Sequence, residues 1–281
     1  MRYLIFSDVH ANIFGLKKLL EQREALKADA VFSLGDVIGY NSFPHECLQL
    51  MKEHNIPSLT GNHEAMVLGT LSLNSCKSER GQNAVRITRE LITSEDKEIL
   101  RGWPVQWEFN ETTIAWHAGF DSLFRTVNTV QRAVPQFRRM EKLGRDLCFF
   151  GHTHRPGVFI RDKASGAIEY NTDPGRVMID AGRRYLVNPG TLGEPRHGLP
   201  MSFVVFDARE MSLEYKTVAL SAEEWRHLKK KNREVFGITS FKRLPQQLKE
   251  KGRRWYYRLG SLKEGPGASP AENKQTGFSE K

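Results

Sequence analysis

The chain has 281 residues, 39% of them hydrophobic and 27% charged, which is enough apolar material for a full core in one large domain or two smaller ones. No segment approaches the ~18 uninterrupted apolar residues of a membrane span, and three cysteines without tight spacing argue against a disulfide framework. Net charge is +9 but unevenly placed: Trp225–Lys281 holds 15 basic and 5 acidic residues, leaving 27 and 28 before it, so a neutral body precedes a basic tail.

The N-terminus, MRYLIFSDVH, reads as a strand broken by Asp8, without a signal peptide's long apolar core or small-residue cleavage site; the three cysteines suit a reducing cytoplasm. Tyr3–Phe6 is the first predicted strand. Apolar residues at Ile13, Leu16, Leu19 and Leu20 predict a helix over Ile13–Leu26, with Asn12 as its N-cap. Ala30–Leu34 predicts a strand, Pro44–Lys52 a helix and Pro57–Leu59 a short strand. Helical patterns follow at Val85–Leu91 and Ser94–Leu100, with Ser94 as the cap of the latter. Thr112–Trp116 and Leu147–Phe150 predict strands on either side of a helix around Val130–Leu143. The texture then turns to hairpins. Val158–Arg161 and Ala167–Tyr170 flank a turn at Lys163–Gly166, and Tyr185–Val187, Phe203–Phe206 and Leu213–Val218 are further strands. Ser221 with Glu224 marks a capping box for a helix reaching about Val235. Strand–helix alternation followed by a meander predicts stacked sheets covered by helices.

Five stretches put metal-competent side chains just after a predicted strand: SDVH (Asp8, His10), LGDVIGY (Asp36), TGNHE (Asn62, His63), AWHAG (His117) and FFGHTH (His152, His154). Oxygen and imidazole donors without thiolates suit a hard or borderline divalent ion such as Mn²⁺, Fe²⁺ or Zn²⁺. Residues two apart in an extended segment share a face, so each pair projects towards one point. Gly35, Gly61, Gly119 and Gly151 are read as the sharp exits that aim them. Singly, Asp8 reads as a cap, Asp36 as a turn residue, His117 as a core histidine and His152–His154 as a solvated loop. Together, at successive strand ends, they read as one metal site.

The order D-x-H, GD, GNH[ED], H, GHTH resembles the signature of the calcineurin-like metallophosphoesterase superfamily, over residues 1 to about 218. GDVIGY and VNPGTLGEPRHG resemble its bacterial small-phosphodiesterase branch. The resemblance implies an α/β fold, a four-layer αββα sandwich of two mixed β-sheets flanked by helices. With that domain at 1–220, charge and composition predict a basic helical or irregular extension at 221–259 and a disordered tail at 260–281. The resemblance also implies a two-metal centre. Asp8, His10 and His154 would hold one divalent ion and Asn62, His117 and His152 the other, with Asp36 bridging. His63 would be catalytic, contacting the phosphate and helping the leaving group depart, either by donating a proton to it or by stabilising the equatorial oxygens. Mn²⁺ is the first expectation, with Fe, Zn and Ni as alternatives.

The protein serine/threonine phosphatase branch reads GDxxDRG where this chain reads GDVIGYN, lacking the second Asp and the Arg. The expected substrate is therefore a small phosphate ester or nucleotide-type molecule. Arg196 is a candidate for a substrate phosphate and Tyr40 and Asn41 for the pocket wall, while the Asn188-Pro189-Gly190 stretch is equally a plain turn. The runs KKKNR (229–233), FKR (241–243) and KGRRWYYRL (251–259) read either as a solvated helix face and a disordered end or as a surface for nucleic acid or an anionic membrane. A non-catalytic scaffold of the same fold is the competing class. The intact set of expected ligands argues for a hydrolase.

Overall fold

A computed structural model describes residues 1–196 and 198–237; the basic runs beyond 237 and the expected tail at 260–281 lie outside the described residues. In chain order the first half holds β1 (Arg2–Phe6), α1 (Ile13–Leu20), α2 (Gln22–Ala25), β2 (Ala30–Ser33), α3 (Pro44–Glu53), α4 (Asn62–Leu68), α5 (Glu79–Leu91) and α6 (Ser94–Arg101). There follow β3 (Gln106–Glu108), β4 (Thr113–Trp116), α7 (Val130–Lys142), β5 (Leu147–Phe149), β6 (Gly157–Asp162), β7 (Ile168–Asn171) and β8 (Arg176–Met178). The last elements are β9 (Arg183–Asn188), β10 (Met201–Asp207), β11 (Ser212–Val218) and α8 (Ala222–Phe236).

The strands form two mixed sheets. One has the order β2-β1-β10-β11-β8, the other β3-β4-β5-β9-β6-β7. The pairs β1/β2, β4/β5 and β5/β9 are parallel and the remaining pairs antiparallel. Strand alternation explains the layering. Ile5, Val204 and Phe206 face Phe149, Val158 and Val187 in a core between the sheets. Leu4, Phe6 and Val205 point the other way, against Leu16, Leu19, Met51 and Leu228 of the helices covering the first sheet. Cys148, Ile114 and Leu186 pack on Phe137 and Met140 of α7, which covers the second. This is the expected four-layer αββα sandwich. Among the described residues no helix is long and apolar enough to cross a membrane.

The caps show why the helices begin where they do. Asn12 Oδ1 accepts the Gly15 amide at 3.2 Å, as expected. Ser221 and Glu224 exchange the two bonds of a capping box at 3.1 and 2.6 Å. At α6 the cap is Thr93 rather than Ser94: Thr93 Oγ1 accepts from the Asp96 amide and Asp96 Oδ2 from the Thr93 amide. The predicted strand at Pro57–Leu59 reduces to one parallel bridge between Ser33 and Ser58, because the Thr60 amide turns away to the Pro104 carbonyl and α4 begins two residues later. The predicted Ile13–Leu26 helix is two pieces, α1 and α2, on either side of Glu21. Helix α5 starts at Glu79 rather than Val85, since Ser78 Oγ caps it by accepting from Gly81.

Candidate metal centre

The parallel strands deliver the candidate residues to one edge of the sandwich. Asp8 and His10 follow β1, Asp36 follows β2, His117 follows β4, and His152 and His154 follow β5. Asn62 and His63 open α4. Backbone bonds stitch these loops together: Asp8 N donates to Gly35 O (3.0 Å), His10 N to Asp36 O (2.9 Å) and Gly151 N to His117 O (2.7 Å). The His152 amide donates to Asp8 Oδ2 at 2.9 Å, crossing from one sheet to the other.

The pairs do not project from extended backbone. Asp8, His10, Asp36, His152 and His154 all have left-handed torsions, with φ of 55°, 47°, 53°, 65° and 58°. Each such residue costs ~1–2 kcal/mol, and strain of this kind gathers at functional sites. Of the four glycines read as exits, only Gly35 is left-handed, at φ 98°. Gly61 and Gly151 serve a different need. A Cβ on Gly151 would lie 2.8 Å from Asp8 Oδ2 and closer still to Ser7 Oγ, and one on Gly61 would lie 2.5 Å from the Asp36 nitrogen.

Three overlapping groups result: Asp8–His10–His154, Asp36–His117–His152 and His10–Asp36–His63, each with its donor atoms within 4.8 Å of one another. In the first, Asp8 Oδ1 lies 3.2 Å from His154 Nε2 and 3.6 Å from His10 Nε2. In the second, Asn62 Oδ1 lies 2.9 Å from His152 Nδ1 and 3.3 Å from His117 Nε2. Asp36 Oδ2 stands between the groups, 3.3 Å from His117 Nε2 and 3.9 Å from His10 Nε2. All the expected ligands and His63 therefore converge.

The far side of each ring decides what the near side offers. His10 Nδ1 meets Ile38 O at 3.1 Å, His117 Nδ1 meets Leu34 O at 2.9 Å and His154 Nδ1 meets Glu194 O at 2.8 Å. A carbonyl only accepts, so each Nδ1 carries the hydrogen, which leaves Nε2 of His10 and of His154 to turn a lone pair inward, while His117 Nε2 donates towards Asp36 Oδ2 and Asn62 Oδ1. His10 Nε2 and His154 Nε2 then face each other at 3.0 Å with no hydrogen between them. Buried Asp8 Oδ1 beside them has no hydrogen-bond partner among the described residues. Two lone pairs and an unpaired carboxylate oxygen in a buried site suit a divalent cation, and the donor set fits the metals expected from the sequence.

The electrostatics follow burial and the carboxylates. Burial lowers the pKa of His10, brings His63 down to about 3 and His152 to about 4. Burial also opposes charge on His117, but Asp36 outweighs it and raises that imidazole to about 9. Burial disfavours the Asp8 and Asp36 anions, yet the surrounding imidazoles hold both well below the usual carboxylate range.

Tyr40 and Arg196 sit at the mouth of this centre rather than within it. Both line a cavity of about 580 Å³ that opens over His10, Asp36, Asn62, His63, His152 and His154. The Tyr40 ring stands 4.6 Å from that of His10 and 4.7 Å from that of His63. The Arg196 guanidinium lies 5.8 Å over Tyr40, and Arg80 covers the same ring at 4.9 Å while pairing with Glu194 at 2.8 and 2.9 Å.

Two supporting residues escaped the sequence reading. Buried Glu64 accepts the amides of Asp36, Ile38 and Gly61 at 2.9, 3.2 and 2.8 Å, tying the Asp36 loop to the start of α4. Its only signal was the last letter of GNHE. Thr191 Oγ1 donates to Asp8 O at 2.7 Å and accepts the Gly193 and Glu194 amides. The NPGT stretch is thus a turn that also clamps the Asp8 loop.

A double-sheet sandwich that gathers carboxylates, imidazoles and an amide at its strand ends defines a class, the metallophosphoesterases. Residues 1–211 match the model of the calcineurin-like phosphoesterase superfamily domain, and the chain belongs to that superfamily. It is 28% identical over 216 residues to an uncharacterized protein of Methanocaldococcus jannaschii, covering 75% of this chain and 84% of that one. The crystal structure of a metallophosphoesterase from Sphaerobacter thermophilus is similar at a TM-score of 0.68 and 27% identity, over 88% of this chain and 97% of that one. A hypothetical protein from Pyrococcus horikoshii OT3 shares the fold at a TM-score of 0.63 and 16% identity, over 84% and 96% of the two chains.

Proposed function

We propose that the protein is a metal-dependent phosphodiesterase using two divalent cations, Mn²⁺ first among Mn, Fe, Zn and Ni. Asp8, His10 and His154 would hold one, Asn62, His117 and His152 the other, with Asp36 shared. The observation that carries this reading is the inward pair of Nε2 lone pairs beside the orphaned Asp8 oxygen. When bound, such a pair of cations neutralises the anionic oxygens of a phosphate ester and lowers the pKa of an attacking water.

The chain's own residues supply aim and charge around that chemistry. Asp36, held at its amide by Glu64 and at Oδ1 by the His63 amide (2.9 Å), sets the spacing between the two groups. His63 is buried with Nδ1 unpaired among the described residues. A pKa near 3 keeps its ring neutral, so it serves better as a hydrogen-bond donor to a phosphoryl oxygen than as a proton source. Lys77, Arg155 and Arg196 line the cavity together with Tyr40 and Phe124, and cations beside aromatic rings favour an anionic ester with a flat organic group, as in a nucleotide.

The test is the purified full chain assayed with each divalent ion against bis-p-nitrophenyl phosphate and a phosphoserine peptide. Faster turnover of the diester, highest with Mn²⁺, is expected. Faster turnover of the peptide, or metal-independent turnover of either, refutes the reading.

A further inference from the structure

Helix α8 begins at Ala222, beyond the end of the family match at residue 211. Its sequence around KKKNR is charged, and most of it is exposed. Two residues break that pattern. Leu228 is 1% exposed and enters the core over the first sheet, while Asn232, one helical turn on and so on the same face, is 2% exposed. A buried amide at a position suited to a leucine needs a reason.

Its bonds supply one. Asn232 Nδ2 donates to Asn41 Oδ1 at 2.7 Å, and Asn232 Oδ1 accepts from Ser42 Oγ at 2.6 Å. Asn41 Nδ2 in turn donates to the His10 carbonyl at 2.7 Å and reaches Gly193 O at 3.4 Å. The Asn41 amide adds a second donor to the same His10 carbonyl at 3.2 Å. The relay has one direction. Asn41 must turn its NH₂ towards His10, so it offers only an oxygen to α8, and only a donor at position 232 satisfies it. The carbonyl so held belongs to a residue with φ 47° whose Nε2 is aimed at Asp8 and His154.

We propose that Asn232 is a positioning residue for the metal site: through Asn41 it fixes the His10 carbonyl, and with it the strained peptide that aims the His10 ring. This rests on the metal-centre reading above. The relay is the kind of outer support whose loss costs about 10–100-fold in metal affinity.

The experiment uses the full chain and Co²⁺ as probe, followed by titration calorimetry and by the visible absorption of the bound ion. Asn232→Asp keeps the shape but has no hydrogen to give. Asn41 then turns its NH₂ towards the carboxylate and its oxygen towards the His10 carbonyl, which it repels. Co²⁺ affinity should fall about 10–100-fold with a changed visible spectrum. Asn232→Ala, the milder lesion, should lose less in the same direction and serves if the carboxylate prevents folding. Leu228→Ala loosens the same helix without touching the relay, and should lose thermal stability while binding Co²⁺ as wild type does. Equal affinity and spectrum in both Asn232 variants, or an equal loss in Leu228→Ala, overturns the positioning role. Wild-type protein that takes up no Co²⁺ overturns the metal centre itself, and this proposal with it.

Discussion

Gly61→Ala tests whether close approach, rather than backbone freedom, demands glycine beside the centre. Gly61 has φ −89° and ψ −179°, extended torsions that any residue adopts. Space is the constraint. An alanine Cβ would lie 2.5 Å from the Asp36 nitrogen, 2.8 Å from Glu64 Oε2 and nearer still to Asp36 Oδ1. Ordinary carbon contacts sit at ~3.5 Å, so the Asp36 loop must retreat by roughly 1 Å. Rotating the carboxylate cannot relieve this, because the Asp36 backbone is itself in the way. Overpacking of this kind costs ~1–3 kcal/mol, which at ~2–4 °C per kcal/mol lowers Tm by roughly 2–12 °C. A shift of ~1 Å in a reacting geometry costs ~10²-fold in rate. Gly69→Ala is the comparison: at φ 80° with nothing within 4 Å of the added Cβ, it loses ~1–2 kcal/mol to left-handed strain without moving Asp36. Calorimetry, bound Mn²⁺ and diesterase rate together read the difference. Gly61→Ala with full metal content and rate, or Gly69→Ala that loses both, refutes the argument.

Two further outcomes are expected. His63→Ala should keep its metal content and lose about 10²–10³ in kcat, equally on nitrophenyl and alkyl diesters, as removal of a hydrogen-bond donor to the phosphoryl group does; a loss confined to alkyl esters would make His63 a proton donor instead. His45 pairs with buried Asp96 at 2.8 Å, and that hydrogen bond raises the His45 pKa above 6.5. A raised folded pKa stabilises fully below 6.5 and fades as pH rises through the folded value. The stability gap between wild type and His45→Ala in urea should therefore be wider at pH 5.5 than at pH 8.5, by under ~1 kcal/mol since the imidazole is half exposed. A gap that widens with pH contradicts the pairing.

The sequence disclosed what chemistry and hydrophobic patterning impose. Asp8, His10, Asp36, Asn62, His117, His152 and His154 are residue types that a metal selects, and all but Asn62 follow an apolar run, so their convergence could be read before any coordinates. Strands β10 and β11 and the caps at Asn12 and Ser221 were equally plain. Three-residue edge strands were not. In β3 and β8 only Gln106 and Val177 are even half-buried, and three residues are too few for alternation to register. Helix α4 was hidden because its first residues are the site motif itself. Asn232 was lost inside a charge run, where nothing but its spacing from Leu228 separates it from its solvated neighbours.

The torsions were illegible for a deeper reason. Five of the converging residues are left-handed without being glycine, and a side chain chosen for its donor atom leaves no trace of the backbone beneath it. At ~1–2 kcal/mol each, this strain sums to roughly 5–10 kcal/mol, comparable to the whole net stability of a typical domain. Besides the bonds the loops make to one another, their peptide groups are caught from outside the expected ligand set. Glu64 takes the Asp36 and Ile38 amides, Thr191 the carbonyl of Asp8, Asn188 the carbonyl of Gly151 and Asn41 that of His10. Each of these partners is buried or nearly so, where an unmade bond costs ~1–3 kcal/mol, so these bonds offset part of the strain. The aim of the imidazoles is therefore set in part by polar residues that touch no expected metal position, and substitutions there should degrade the site while every motif residue stays in place.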